Sequence, residues 1–205
     1  VALPLSRPMM ALRVENGEKL PRFGPVIVAP NHYSEIDPVV VGLTIWKLGR
    51  APRFLAKASL FRVKVLGWML RSSGQIPVER VGATRGSDPM AAAARVAERE
   101  QVLVVYPEGT LTRDPAMWPM RGKTGAVRLA LQYGIPIHPI AHWGTQDVMP
   151  RYSKKIHFFP PKTIRIRVGD AIDLSAFAGK PLDGATLGAA TEVVMDAITH
   201  ELEEL

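Results

Sequence analysis

Short runs of β-branched and aliphatic residues alternate along the chain with longer stretches whose apolar positions recur at helical spacing. Val26–Ala29, Arg53–Ala56, Gln75–Glu79, Val102–Tyr106 and Ile135–Ala141 read as strands. Most are apolar at nearly every position, which suits a sheet covered on both faces. The segment Ile164-Arg165-Ile166-Arg167-Val168 alternates strictly instead, and predicts one wet face and a place near a sheet edge.

The helices announce themselves at their ends. Asp37-Pro38 and Asp88-Pro89 each put an N-cap residue before a proline at the first helical position. The second pair opens the alanine-rich Met90–Glu100, a segment of high helix propensity. Thr124–Tyr133 predicts a third helix, stopped by Gly134. From Ala185 to Leu205, the residues Leu187, Val194, Ile198 and Leu202 form one helical stripe. Strands alternating with helices predict a single α/β domain over 1–205, with a central, mostly parallel or mixed sheet of about six or seven strands flanked by helices. The motif-bearing core covers roughly residues 20 to 145, and a strand and helix follow over 160–205.

Composition narrows the chemistry. With 205 residues and 47% hydrophobic content, the chain can bury a sizeable core. It has no cysteine, so thiol nucleophiles, disulfides and cysteine-ligated metals are excluded. Lys and Arg outnumber Asp and Glu by 26 to 19, a formal charge of +7 that favours anionic partners. The basic residues are scattered and no nucleic-acid-binding motif appears, so nucleic acid is not the expected partner. No apolar run approaches the roughly 20 residues of a membrane span. The opening Val1-Ala2-Leu3-Pro4 lacks the basic and apolar regions of a secretory signal, and an anchor preceding it is left open.

The strand Val26–Ala29 runs into Pro30-Asn31-His32-Tyr33-Ser34-Glu35-Ile36-Asp37. A histidine leaving a buried strand sits where α/β proteins place ligands, beyond the carboxyl ends of strands. A carboxylate five residues on lies about 140° round a regular helix, so it meets the imidazole only if His32 stays in the loop or in a distorted first turn. There Asp37 would accept the Nδ1 proton, fix the tautomer and leave Nε2 as a base. A plainer account also fits: Asp37 before Pro38 is a helix cap, and Asp88-Pro89 repeats the pair with no histidine upstream.

A second signal is the apolar strand Val102–Tyr106, ended by Pro107, which presents Glu108, Gly109 and Thr110 at its carboxyl end. Gly109 permits close backbone approach and Arg113 offers a planar cationic fork for phosphate. An ordinary strand-to-loop exit with solvated charges explains the same residues.

Together these segments resemble the motifs of the glycerolipid acyltransferases, whose best-known members are the 1-acylglycerol-3-phosphate acyltransferases. His32-x-x-x-x-Asp37, preceded by Asn31, is similar to the first motif, and Pro107-Glu108-Gly109-Thr110 to the third. Gly74-Gln75-Ile76-Pro77-Val78-Glu79-Arg80 resembles the second, and Ile135-Pro136-Ile137-His138-Pro139 the fourth. The resemblance implies direct acyl transfer from acyl-CoA to a lysophospholipid hydroxyl, with His32 as base and Asp37 supporting its imidazolium. It implies Asn31, Lys57, Arg80, Glu108, Gly109, Thr110 and Arg113 as substrate-binding residues, with Lys123 a further phosphate contact. It also implies no cofactor beyond the acyl-CoA co-substrate, no metal, and a monomer peripheral to the cytoplasmic face of an anionic membrane. Two departures lie where the acceptor headgroup is expected. Leu111 and Thr112 separate Glu-Gly-Thr from Arg113, and Lys57-Ala58-Ser59-Leu60 replaces a frequent Lys-Glu-Leu. They motivate another lysophospholipid, a glycolipid or a non-glycerol alcohol as alternative acceptors.

Other features stay open or fall away. Ser59–Ser73 is the most membrane-like stretch, but Arg62 falls nearly opposite Lys64 and Arg71 on a continuous helix, so a buried segment or an acyl-tunnel wall fits as well. Met117, Trp118 and Met120 suit a core, a lid or a lipid-facing loop. Gly122-Lys123-Thr124 lacks the upstream glycine of a phosphate-binding loop, and no Gly-x-Ser-x-Gly elbow exists. His138, His142, His157 and His200 have no metal-ligand spacing with carboxylates and read as structural. The non-enzymatic alternative is a basic domain that binds anionic lipid or nucleic acid.

Overall fold

A computed structural model describes residues 10–78, 94–96, 98–153, 155–157 and 159–205. Its centre is strand β2 (Val26–Pro30), every residue of which is buried. Alternate side chains of β2 enter different cores, as the two-residue period of a strand requires. Val26 and Val28 join one apolar cluster with Val40, Val41 and Ile45 of helix α1 (Asp37–Lys47). Ile27 and Ala29 join the other, packed by helices α3 (Gly125–Tyr133) and α5 (Gly184–Glu203). Burial on both faces is why the strand carries no polar alternation.

Seven strands form one mixed sheet in the order β1-β7-β6-β2-β5-β3-β4. The others are β1 (Met10–Glu15), β3 (Pro52–Lys57), β4 (Ile76–Val78), β5 (Val102–Val104), β6 (Ile137–Trp143) and β7 (Lys162–Val168). All neighbouring pairs are parallel except β6 with β7. The carboxyl ends of β2, β3, β4, β5 and β6 therefore share one edge, and the described loops leaving β2, β3, β5 and β6 start there. The predicted fold class is the one observed, and β7 alternates buried and open positions beside the edge strand β1.

Helices α2 (Lys64–Ser72) and α4 (Thr145–Val148) also lie among the described residues. The predicted stop at Gly134 is present, its backbone left-handed at φ 63°. Edge strand β1 escapes the sequence reading, because its partner β7 lies about 150 positions away and its own alternation is short. The predicted helix over Met90–Glu100 and the Asp88-Pro89 start fall largely outside the described residues, which are helical at 94–96.

Candidate active site

His32 leaves β2 in the loop before α1, and Asp37 is the first residue of that helix. The cap expected at Asp37 is not formed: Ile36 occupies the N-cap position, and the Asp37 carboxylate turns back into the loop. Its Oδ2 accepts the Tyr33 amide at 2.6 Å, the Ser34 amide at 2.8 Å and His32 Nδ1 at 2.9 Å. The non-helical path of residues 32–36 is what removes the 140° separation of a regular helix (about that at five residues). A carboxylate at Nδ1 makes that nitrogen the donor and leaves the lone pair on Nε2.

Asp37 is fully buried. Burial pushes its pKa up, but the His142 ring, the His32 hydrogen bond and the Ser34 amide outweigh it, so the carboxyl sits below its ordinary value. His142 Nε2 lies 3.7 Å from Asp37 Oδ2 and 3.0 Å from the Asn31 carbonyl oxygen. The carbonyl can only accept, so Nε2 carries the proton. Burial lowers the His142 pKa against the pull of Asp37 and Asn31. A neutral ring with its N–H dipole near the carboxylate satisfies both observations.

Asn31 and His142 clip the carboxyl ends of β2 and β6 together. The Asn31 amide donates to the His142 carbonyl at 3.0 Å, and its oxygen accepts the His142 amide at 2.9 Å. With its side chain spent this way and buried, Asn31 does not line the cavity described below. Its place is behind the His32 loop.

The third motif meets His32 because β5 lies beside β2, with the Val105 amide donating to the Val28 carbonyl at 3.0 Å. Glu108 is buried, and its two oxygens accept the His32 amide at 3.2 Å and the Met120 amide at 3.0 Å. Burial raises its pKa against those two amides. Glu108 thus braces the loop that holds His32. Tyr106 stacks on the His32 ring at 4.1 Å between centroids. Burial, then the Asp37 charge, pushes the Tyr106 phenol well up, so it stays protonated.

His32 lines a cavity of about 600 Å³ together with Gly109, Thr110, Leu111, Tyr152 and an apolar wall that includes Phe54, Leu60 and Leu70. That volume is within the range of small-molecule sites. Gly109 has a left-handed backbone at φ 67°, and a Cβ there would fall 2.8 Å from Lys123 Nζ. The lysine therefore crosses Gly109, which lines the cavity, although Lys123 itself is not among the lining residues. Arg113 is exposed and absent from the cavity lining. Lys57 ends β3 at the same sheet edge, placed by its backbone. Arg80 lies outside the described residues.

Four contributors were not read as site residues from the sequence: Tyr106, His142, Arg151 and Ser34. Arg151 donates to the Thr112 and Asp114 carbonyls at 3.0 and 2.8 Å, holding the loop after the third motif. Ser34 Oγ donates to the Met149 carbonyl at 2.6 Å, so it is tied down rather than free. Among the described residues, no group of three or more His, Asp or Glu is placed to hold a metal ion.

The sequence and the fold of this chain have known counterparts. The chain belongs to the acyltransferase family, whose family model, described as Acyltransferase, matches residues 11–143. Its relatives place it with the glycerolipid acyltransferases. The 1-acyl-sn-glycerol-3-phosphate acyltransferase of Bacillus subtilis is 26% identical over 194 residues, covering 95% of this chain and 87% of that protein. The chloroplastic 1-acyl-sn-glycerol-3-phosphate acyltransferase BAT2 of Brassica napus is 28% identical over 150 residues, which are 73% of this chain. The match spans less than half the length of the chloroplast relatives, 42% for Brassica napus and 40% for Arabidopsis thaliana. In fold, the chain is similar to the crystal structure of the 1-acyl-sn-glycerophosphate acyltransferase PlsC from Thermotoga maritima. The TM-score is 0.69 at 22% identity, over 95% of this chain and 72% of that one.

Proposed function

We propose that this protein transfers a fatty acyl group from acyl-CoA to the free hydroxyl of a lysophospholipid, foremost 1-acylglycerol-3-phosphate, yielding phosphatidate. The observation that carries this reading is the 2.9 Å contact of His32 Nδ1 with buried Asp37 Oδ2, on a ring that also lines the cavity.

In the proposed step His32 Nε2 takes the hydroxyl proton as the acceptor oxygen attacks the thioester carbonyl carbon. Asp37 stabilises the imidazolium without becoming protonated, consistent with its lowered pKa. Collapse of the tetrahedral intermediate breaks the carbon–sulfur bond, and the imidazolium returns its proton to the departing CoA thiolate. No acyl-enzyme is invoked: the chain has no cysteine, and Ser34 Oγ is committed to Met149. Holding two bulky amphiphiles in one cavity supplies much of the rate as positioning. Lys123 beside Gly109 is the described cation best placed for an acceptor phosphate, and Lys57 and Arg80 are proposed to join it. The reaction is proposed to need no cofactor and to occur peripherally at the cytoplasmic face of the membrane.

Arg113 stands outside the cavity lining, which keeps a second acceptor class in view: another lysolipid or a glycolipid. Incubation with lysophosphatidate and acyl-CoAs of several chain lengths tests the reading, with other lysolipids, acyl carrier protein thioesters and an acceptor-free control alongside. Phosphatidate formation above hydrolysis supports it. Faster transfer to a phosphate-free acceptor would replace the proposed acceptor, and thioester cleavage alone would make the protein a hydrolase.

A further inference from the structure

The exposed apolar surface concentrates on one unit, the turn Ala58–Arg62 and helix α2 behind it. Leu60, Val63, Val65, Leu66, Trp68 and Met69 are exposed by 38% to 71%. Within α2 only Gly67 is buried. A Cβ on Gly67 would lie 2.1 Å from the Phe61 carbonyl oxygen, so this is where the helix rests on the preceding turn.

Positions on the helix follow from about 100° per residue. Val65, Trp68 and Met69 fall within one arc of about 100° on the side away from Gly67, while Lys64 and Arg71 lie together on its flank. Arg62, which spoils this pattern when the segment is read as one helix, belongs to the preceding turn. The pattern is thus an apolar stripe, interrupted by Ser72 in the last turn and bordered by cations on one side, and α2 is not a buried core helix.

Charge points the same way. Residues 58–72 contain Arg62, Lys64 and Arg71 and no Asp or Glu, and exposed Lys47 adds a cation on α1. The patch also continues inward, because Leu60 and Leu70 line the His32 cavity. On α1, exposed Val39 and Trp46 extend it along an adjoining groove.

We infer that this face, residues 58–72 with the outer edge of α1, docks on an anionic phospholipid bilayer. Helix α2 lies in the interface plane, and the His32 cavity opens toward the leaflet. Within residues 58–72 the exposed apolar side chains are bordered by cations with no carboxylate among them, which matches an apolar interior beneath anionic headgroups. Exposed Glu35 adds an acidic group at the cavity rim. The inference gives the lipid acceptor of the proposed reaction a route to His32 and rests on that reading for its purpose, while the docking itself is measured without turnover.

The absence of native cysteine allows a single labelled site. Val65→Cys carrying an environment-sensitive fluorophore is titrated with vesicles of phosphatidylglycerol and of phosphatidylcholine, beside a Val193→Cys control on α5. The α2 label is expected to blue-shift with the anionic vesicles and the α5 label to stay unchanged. In co-sedimentation, the Val65→Glu/Met69→Glu variant is expected to lose at least about tenfold in partitioning, and Val193→Glu none. Equal response of both labels, unchanged partitioning of the double variant, or equal binding to neutral vesicles overturns the inference. Vesicle binding without phosphatidate formation would sink only the proposed reaction, and turnover of detergent-dispersed substrate without vesicle binding would sink only the docking face.

Discussion

Three N–H groups converge on one oxygen of Asp37, while its Oδ1 has no partner among the described residues. An amide at this position keeps the shape but loses the charge proposed to hold the imidazolium. Asp37→Asn is expected to lower kcat by about 10² to 10⁴-fold with a smaller change in KM, read by steady-state kinetics. His142 acts one step further back, through Asn31 and the Asp37 carboxylate. His142→Ala leaves the Asn31 carbonyl without its donor and is expected to destabilise the fold by about 1–3 kcal/mol in urea unfolding. The pairing of His32 with Asp37 was legible through the resemblance of the ordered motifs, since spacing alone fitted a helix cap as well, and the loop path is what brings the two together. His142 was not legible, since 111 positions separate it from Asn31 and only sheet order makes them neighbours. Glu108 was read as a substrate contact from its motif, but its oxygens are engaged by two backbone amides. Nothing in local sequence distinguishes a brace from a ligand.

At the level of elements, most strands and three helices follow from apolar spacing and end signals. Where the reading slipped, a second partner outbid the local one. Asp37-Pro38 looks like a cap, yet loop amides and His32 claim the carboxylate, and the helix starts one residue earlier in role. The stretch Ser59–Ser73 was ambiguous because a break at Val63 divides it, and that break sets which cations share a face. The close approach at Gly67 is what seats α2, and a methyl group there meets backbone that cannot swing aside. Gly67→Ala is therefore expected to raise proteolysis and amide exchange within 58–72 several-fold. Exchange in β6 and α5 should stay unchanged, and equal protection throughout would contradict this seating.

For the whole molecule, parallel packing of β2 through β6 does the assembling. Four sequence-distant loops reach one edge because their strands point the same way. The strands at the other end are tied differently. Arg167 of β7 reaches Glu15 of β1 at 3.3 Å and Glu201 of α5 at 2.8 Å. Burial lowers the pKa of both His142 and His138, against nearby acceptors and charges. The unfolded chain binds protons on these histidines near pH 6.5 that the native state refuses, so stability falls as pH drops through that value, by at most about 1.4 kcal/mol per pH unit for each. Asp37 works lower: its lowered pKa contributes stability above the ordinary carboxylate range, lost as pH falls through the native value. Glu108, raised by burial, offsets part of that loss. Tm is expected to decline between pH 7.5 and 5.5, and His142→Gln to flatten the decline; parallel curves would contradict the assignment of a buried neutral His142.

The proposed chemistry depends on one imidazole, that of His32. The most direct measurement is acyl transfer to lysophosphatidate by His32→Ala, made on protein whose thermal unfolding remains cooperative. A fall in kcat/KM of at least about 10²-fold is the predicted result, since that is what a positioned base contributes. Turnover at the level of the unsubstituted protein would contradict it, leaving the Asp37 contact a structural tie and the chemistry to be sought elsewhere.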